Sequence, residues 1–221
     1  MKNRLLILMA AVIVIGLTLF ACQAEPQQTS SEIDDTFEFE GIVLNTTSVL
    51  VTRSSAVQLP VQSLISLAFP DDLTIPPPGS LYRFMIDSAV AESWPLQGHV
   101  QGAEELRLSA GPTVISFDSA ESIMKHLPVN TFLIDVRTIE EYTGGHVSGA
   151  VNIPVDRIQT DIEGVVKDKN DIIIVYCRSG SRSANAARTL MNSGYHVILD
   201  AGGIMNYQGE PVQGADPGPL P

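Results

Sequence analysis

Asp171-Ile-Ile-Ile-Val-Tyr-Cys177-Arg178-Ser179-Gly180-Ser181-Arg182-Ser183-Ala-Asn-Ala-Ala-Arg-Thr-Leu190 decides how the second half of this chain folds. Ile172 to Val175 is an unbroken β-branched run, the pattern of a strand buried on both faces of a parallel sheet. The run leads to a cysteine, crosses a short loop of Arg, Ser and Gly, and enters an Ala-rich segment that predicts a helix from near Ser183. Strand, tight loop and helix N-terminus in succession bring unpaired backbone N–H groups together, a geometry that holds anions. Cys177 opens that loop, and Arg178 and Arg182 follow within five residues, so its ionised form should be stabilised. A cysteine packed only for its volume has no use for such neighbours. Cys177 reads as a nucleophile.

The spacing separates two chemistries. Phosphatases with a cysteine in such a loop place an arginine six positions after it, so that five residues wrap the phosphate oxygens. Here that position is Ser183, and the arginine comes one residue earlier, at Arg182. The tighter loop suits a single outer sulfur on the cysteine better than a tetrahedral phosphoryl group. That is a persulfide carrier, and cysteine phosphatase is the disfavoured alternative.

Cys177-Arg-Ser-Gly-Ser-Arg-Ser183 resembles the active-site loop of the rhodanese (sulfurtransferase) family. Upstream, Leu133-Ile-Asp135-Val-Arg137-Thr-Ile-Glu140-Glu141-Tyr142-Thr-Gly-Gly145-His146-Val-Ser-Gly149-Ala150-Val-Asn152-Ile-Pro154 resembles that family's other signature, and Gly202-Gly203-Ile-Met-Asn-Tyr207 its closing glycine pair. The likeness spans roughly Thr113 to Val212; Tyr207 stands where the family commonly has a tryptophan, and the segment from Tyr207 to Pro211 is short. The resemblance implies a rhodanese-like parallel sheet with helices on both faces. It also implies sulfurtransferase activity with no cofactor. Thiosulfate or a similar small anion would load Cys177, and a thiol or cyanide would unload it. Arg178 and Arg182 would then contact the anion, Gly180 would let the backbone approach the persulfide, and the N–H groups of the Arg178–Ser183 loop, through Ser179 and Ser181, would stabilise the anionic sulfur. Asp135 and Arg137 are expected to orient the loops as an ion pair, and His146 to organise a turn. A delivery module that holds sulfur or an anion for a protein partner, without turnover, is the alternative.

Residues 1–22 read as a targeting leader. Lys2 and Arg4 precede an apolar run from Leu5 to Phe20, and Leu19-Phe20-Ala21-Cys22 resembles a bacterial lipoprotein cleavage box. The run is shorter than the roughly 20 residues a spanning helix needs. Cys22 is therefore expected to carry lipid and tether the chain to a membrane of the bacterial cell envelope, outside the cytoplasm. That leaves Cys177 as the lone thiol of an exported chain. Histidines at 99, 126, 146 and 196 have no ligand spacing, so no metal site is expected. Without Lys2 and Arg4 the chain has 11 basic and 25 acidic residues, a net charge near −14, which disfavours nucleic acid.

Gln23 to Asp35 is polar and reads as a flexible tether. From residue 36 to 108 the pattern is β: strands are expected at Phe37–Leu44, Ser48–Thr52, Gln58–Gln62, Leu81–Ile86 and Ala89–Ser93, with Pro76-Pro-Pro-Gly79 between them. Five short strands predict a small OB-like barrel, one whose partner, if a protein docks there, no residue identifies. His99 and Trp94 read as packing or loop residues. Leu108 to Pro112 is a linker, and residues 112–212 alternate strands and helices, with Asp118 expected to cap the first helix. The Pro/Gly-rich tail, 213–221, is expected to be disordered.

Overall fold

The computed structural model describes residues 36–87, 90, 93, 95–106 and 112–218, and those from Thr36 onward form one compact unit. The leader, Cys22, the tether, Trp94, most of the linker and most of the strand expected at 89–93 lie outside the described residues.

Five strands close the barrel: β1 (Thr36–Val43), β2 (Ser48–Ser54), β3 (Leu64–Ala68), β4 (Leu81–Asp87) and β5 (Leu96–Leu106), in the order β1-β2-β3-β5-β4 with β4 returning to β1. β5 does the closing. Its first half runs parallel to β3, with Leu96 opposite Ile65, and its second half antiparallel to β4, with Ala103 opposite Phe84. The glycines and polar residues of Leu96-Gln-Gly-His-Val-Gln-Gly hide this strand from a pattern reading. The strand expected at Gln58–Gln62 is instead a turn: Pro60 lacks an N–H for a ladder, and Gln62 has φ 67°. Period-two alternation sends Val43, Val49, Val51 and Ile65 into the barrel interior, against Phe39 and Phe84. Their neighbours Ile42, Leu44, Leu50 and Leu64 point the other way, yet they too are buried.

What buries them is the second half. Its sheet is all parallel, in the order β6-β10-β9-β7-β8, from β6 (Thr113–Val114), β7 (Thr131–Asp135), β8 (Val151–Asn152), β9 (Ile172–Cys177) and β10 (Val197–Gly203). The helices are α1 (Phe117–His126), α2 (Ile139–Thr143), α3 (Ile158–Val165) and α4 (Ser181–Asn192). One face of β9, carrying Ile172, Ile174 and Tyr176, packs on Phe117, Ile123 and Met124 of α1, and this cluster includes Ile42, Leu44, Leu50 and Leu64 of the barrel. The other face, carrying Ile173, Val175 and Cys177, packs on Ile158 and Ile162 of α3 and Ala186, Ala187 and Leu190 of α4. This explains the unbroken apolar run, since every side chain of β9 is buried and each such large apolar residue is worth about 1.5–3 kcal/mol.

Two local expectations are corrected. Ser116, not Asp118, caps α1, accepting the Ser119 N–H at 3.2 Å, while Asp118 lies in the first turn; Ser116 N–H in turn donates to Gln62 Oε1 at 2.9 Å. Residues 213–218 of the tail are held rather than loose. Gly214 N–H donates to Thr143 O at 2.9 Å and Gly149 N–H to Pro217 O at 2.6 Å. Proline removes donors but leaves carbonyls free to accept, so composition alone misjudges this segment.

Candidate active site

Cys177 closes the central strand β9, at the carboxyl edge where parallel sheets keep their ligand crevice. The chain must turn there at once to enter α4. Gly180 makes the turn with φ 102°, a conformation that penalises other residues, and it accepts the first bond of the helix, from Ala184 N–H at 3.0 Å. A second glycine gives the loop its seat: a Cβ on Gly203 of β10 would lie 2.7 Å from the Arg178 carbonyl and from Ser179 Cα.

The sulfur sits at the floor of this turn, on a residue only 1% exposed. Gly180 N–H donates to Sγ at 3.0 Å, and Ser183 Oγ lies 3.7 Å from Sγ, within reach for sulfur. Burial pushes the thiol up; the N–H groups of Ser183, Ser179 and Gly180 and the Ser183 hydroxyl outweigh it, and Cys177 stays below the usual thiol range. The N–H groups of the first turn of α4 have no carbonyl partner in the helix, so they are available to an anion on the cysteine.

The charged residues divide differently from the expectation. Arg178 is exposed at the loop mouth, as are Ser179 and Ser181. The guanidinium of Arg182, expected to contact the anion, makes a bidentate pair with Glu141 of α2, at 2.6 and 2.8 Å. A free arginine of the first helical turn is drawn to a carboxylate, and Glu141 presents both of its oxygens there. Asp135 and Arg137 face each other as a buried pair, with Arg137 Nη2 2.6 Å from Asp135 Oδ2, and the same nitrogen donates to Gly145 O at 2.7 Å.

The rhodanese-like domain profile matches residues 116–210. Over 81 residues the chain is 41% identical to the thiosulfate sulfurtransferase PspE of Escherichia coli (strain K12), covering 37% of this chain and 78% of that protein. The chain belongs to the rhodanese family. The putative sulfur carrier protein YrkF of Bacillus subtilis (strain 168) is 37% identical over 68 residues, 31% of this rhodanese and 36% of that protein. A solved rhodanese with anions from E. coli is 39% identical, covering 38% of this chain and 99% of its own, with a TM-score of 0.37. Sulfur transfer, in general terms, is the chemistry of this family.

In this rhodanese His146 is fully buried between α2 and the tail. Its ring nitrogens each lie 3.0 Å from a carbonyl oxygen, of Tyr142 and of Asp216, and the ring stacks on Tyr142 with 3.7 Å between centroids. Among the described residues no hydrogen bond joins it to the Cys177 loop, so the structure sets it as a fastener of the α2 segment. Metal-ligating groups of three or more His, Cys, Asp or Glu do not occur among the described residues. A barrel cleft of about 260 Å³ lined by Phe39, Arg53 and Arg83 shares no residue with the rhodanese loop, and both arginines are engaged by Glu40.

Glu141 and Tyr176 were not singled out from the sequence as site residues. Thr138-x-x-Glu141 is a capping-box pattern, and the box forms, with each side chain bonded to the other's backbone N–H. Tyr176 accepts the Val147 N–H at 3.1 Å beneath Arg137, but nothing in a buried strand marks that role in advance.

Ser183 offers a direct test of how the thiolate is held. Its hydroxyl also reaches the carbonyls of Gly180 at 2.9 Å and Gly202 at 3.3 Å, and ionisation of Cys177 is expected to draw its proton to sulfur. Ser183→Ala removes a donor that favours the charged form. Its pH profile for alkylation by iodoacetamide should therefore move to higher pH, with neutral-pH alkylation slowed roughly three- to tenfold. An unchanged profile would mean the hydroxyl stays on the carbonyls.

Proposed function

We propose that this rhodanese carries sulfane sulfur from thiosulfate or a similar anionic donor to a thiol or cyanide, through a persulfide on Cys177. The observation that carries the reading is the cradle of N–H groups around a thiol held below its usual range. In the first half-reaction the Cys177 thiolate attacks the donor's outer sulfur. The donor's S–S bond breaks, and its electron pair leaves with sulfite. The loop N–H groups then face the persulfide, and exposed Arg178 attracts the incoming anion. In the second half-reaction the acceptor attacks the outer sulfur, and the pair returns to Cys177 as thiolate. The loop N–H groups favour the thiolate, and once it has formed the attack requires no general base. Lipid on Cys22 would tether the protein to a membrane of the cell envelope, outside the cytoplasm.

The test is mass spectrometry of the intact chain from about Gln23 onward. After thiosulfate the protein should gain the mass of one sulfur atom, and cyanide should restore the original mass and release thiocyanate. A chain that never gains sulfur would overturn the proposal. A loaded chain that no free acceptor can discharge would favour the delivery module, a reading supported by the near-complete burial of the Cys177 residue.

A further inference from the structure

The two arginines of the loop do opposite things. Among the described residues no carboxylate pairs with Arg178, which faces solvent. Arg182 is held by both oxygens of Glu141, whose Oε2 also accepts the Thr138 N–H at 3.1 Å, so the carboxylate is fixed from two sides. The Arg182 guanidinium keeps that carboxyl down at about 2, despite burial, so the stabilisation is present above the ordinary carboxylate range and fades only as pH falls toward 2. Through the neutral range Glu141 cancels the field Arg182 would otherwise cast on an anion arriving at Cys177. Cys177 and Arg182 are close enough for their charges to interact.

The geometry points to Glu141 as a specificity-determining residue, which fits the Cys177 loop to sulfane donors of single negative charge, such as organic thiosulfonates, better than to doubly charged thiosulfate. This rests on the proposed transfer through Cys177. With a thiosulfonate, R–SO2–S⁻, the thiolate attacks the outer sulfur. The S–S bond breaks, and its electron pair departs with the sulfinate R–SO2⁻, leaving the Cys177 persulfide anion. Thiosulfate undergoes the same exchange but expels doubly charged sulfite past a neutralised Arg182. Among the described residues, Arg178 is the arginine of the loop that no carboxylate pairs, and its single charge matches the first case.

Glu141→Gln tests this, since glutamine still serves in a capping box but no longer neutralises Arg182. Relative to wild type, kcat/KM for thiosulfate over benzenethiosulfonate should rise roughly fivefold. Iodoacetate should gain on iodoacetamide as an alkylator of Cys177 by a similar factor. Both gains should vanish in Glu141→Gln/Arg182→Met. Unchanged ratios in the single variant, or gains that survive in the double variant, would overturn the role of Glu141. Alkylation needs no sulfur transfer. If the wild type transfers no sulfur while Glu141→Gln still shows the alkylation shift, the proposed function and the donor preference are overturned and the charge compensation stands.

Discussion

Cys177→Ser is expected to lower thiocyanate formation from thiosulfate and cyanide by roughly a thousandfold or more, to the uncatalysed background. The loop would survive the change. A serine oxygen can accept the Gly180 N–H that now meets sulfur at 3.0 Å, and its smaller volume relieves rather than crowds the packing on α4. What is lost is the nucleophile. The N–H groups that bring a thiol below its ordinary range cannot bring an aliphatic hydroxyl, many orders of magnitude less acidic, to the same state. A serine also has no way to carry sulfur as a persulfide. Thermal unfolding of the variant should match wild type to within about 2 °C, so that lost activity is not lost fold. Retention of more than about a tenth of the wild-type rate would remove Cys177 from the pathway.

The largest loss of stability is expected from the Asp135–Arg137 pair. Both side chains are shielded, with 0% and 7% of their surfaces exposed, and they share several contacts between carboxylate and guanidinium. Asn152 Nδ2 pins the same segment by donating to the carbonyls of Asp135 and Arg137 at 2.9 and 3.0 Å. Asp135→Asn leaves a guanidinium buried without its counter-charge, a change that costs about 3–5 kcal/mol. In a unit of this size that corresponds to a fall in Tm of about 6–20 °C. Asp135→Asn/Arg137→Met should recover part of the loss, because replacing both charges leaves none stranded. A single variant within about 2 °C of wild type would show that water reaches the pair and that its burial is not what matters.

The rhodanese half was largely legible because its signals are local. The apolar run of β9, the glycine at the turn and the Ala-rich α4 sit in consecutive residues, and each constrains the next. The strand count pointed to an OB-like barrel, but two of the strands that build it were not among those expected: β3, which follows the turn at Gln58–Gln62, and Leu96–Leu106, which mixes glycine and polar residues into its pattern. Arg182 shows what a local reading leaves out. Its neighbours in sequence suggested an anion ligand, whereas its partner, Glu141, lies 41 residues away on α2. The capping-box spacing placed that glutamate at a helix start without saying what it would face. Nor did the consecutive apolar residues Ile42-Val43-Leu44 and Val49-Leu50-Val51 reveal that one patch of the barrel's outer surface is buried as well as its interior.

That double burial bears on how such a protein can be inherited. Ile42, Leu44, Leu50 and Leu64 lie in the same cluster as Phe117, Ile174 and Leu199, so the seam visible in the sequence near residue 112 does not exist in the solid. A recombination event that cut there would give each descendant half of an oily interface facing water. The segment shared with the E. coli relative is therefore not a portable cassette in this chain. It has become one side of a joint, and changes on either side must be accommodated by the other.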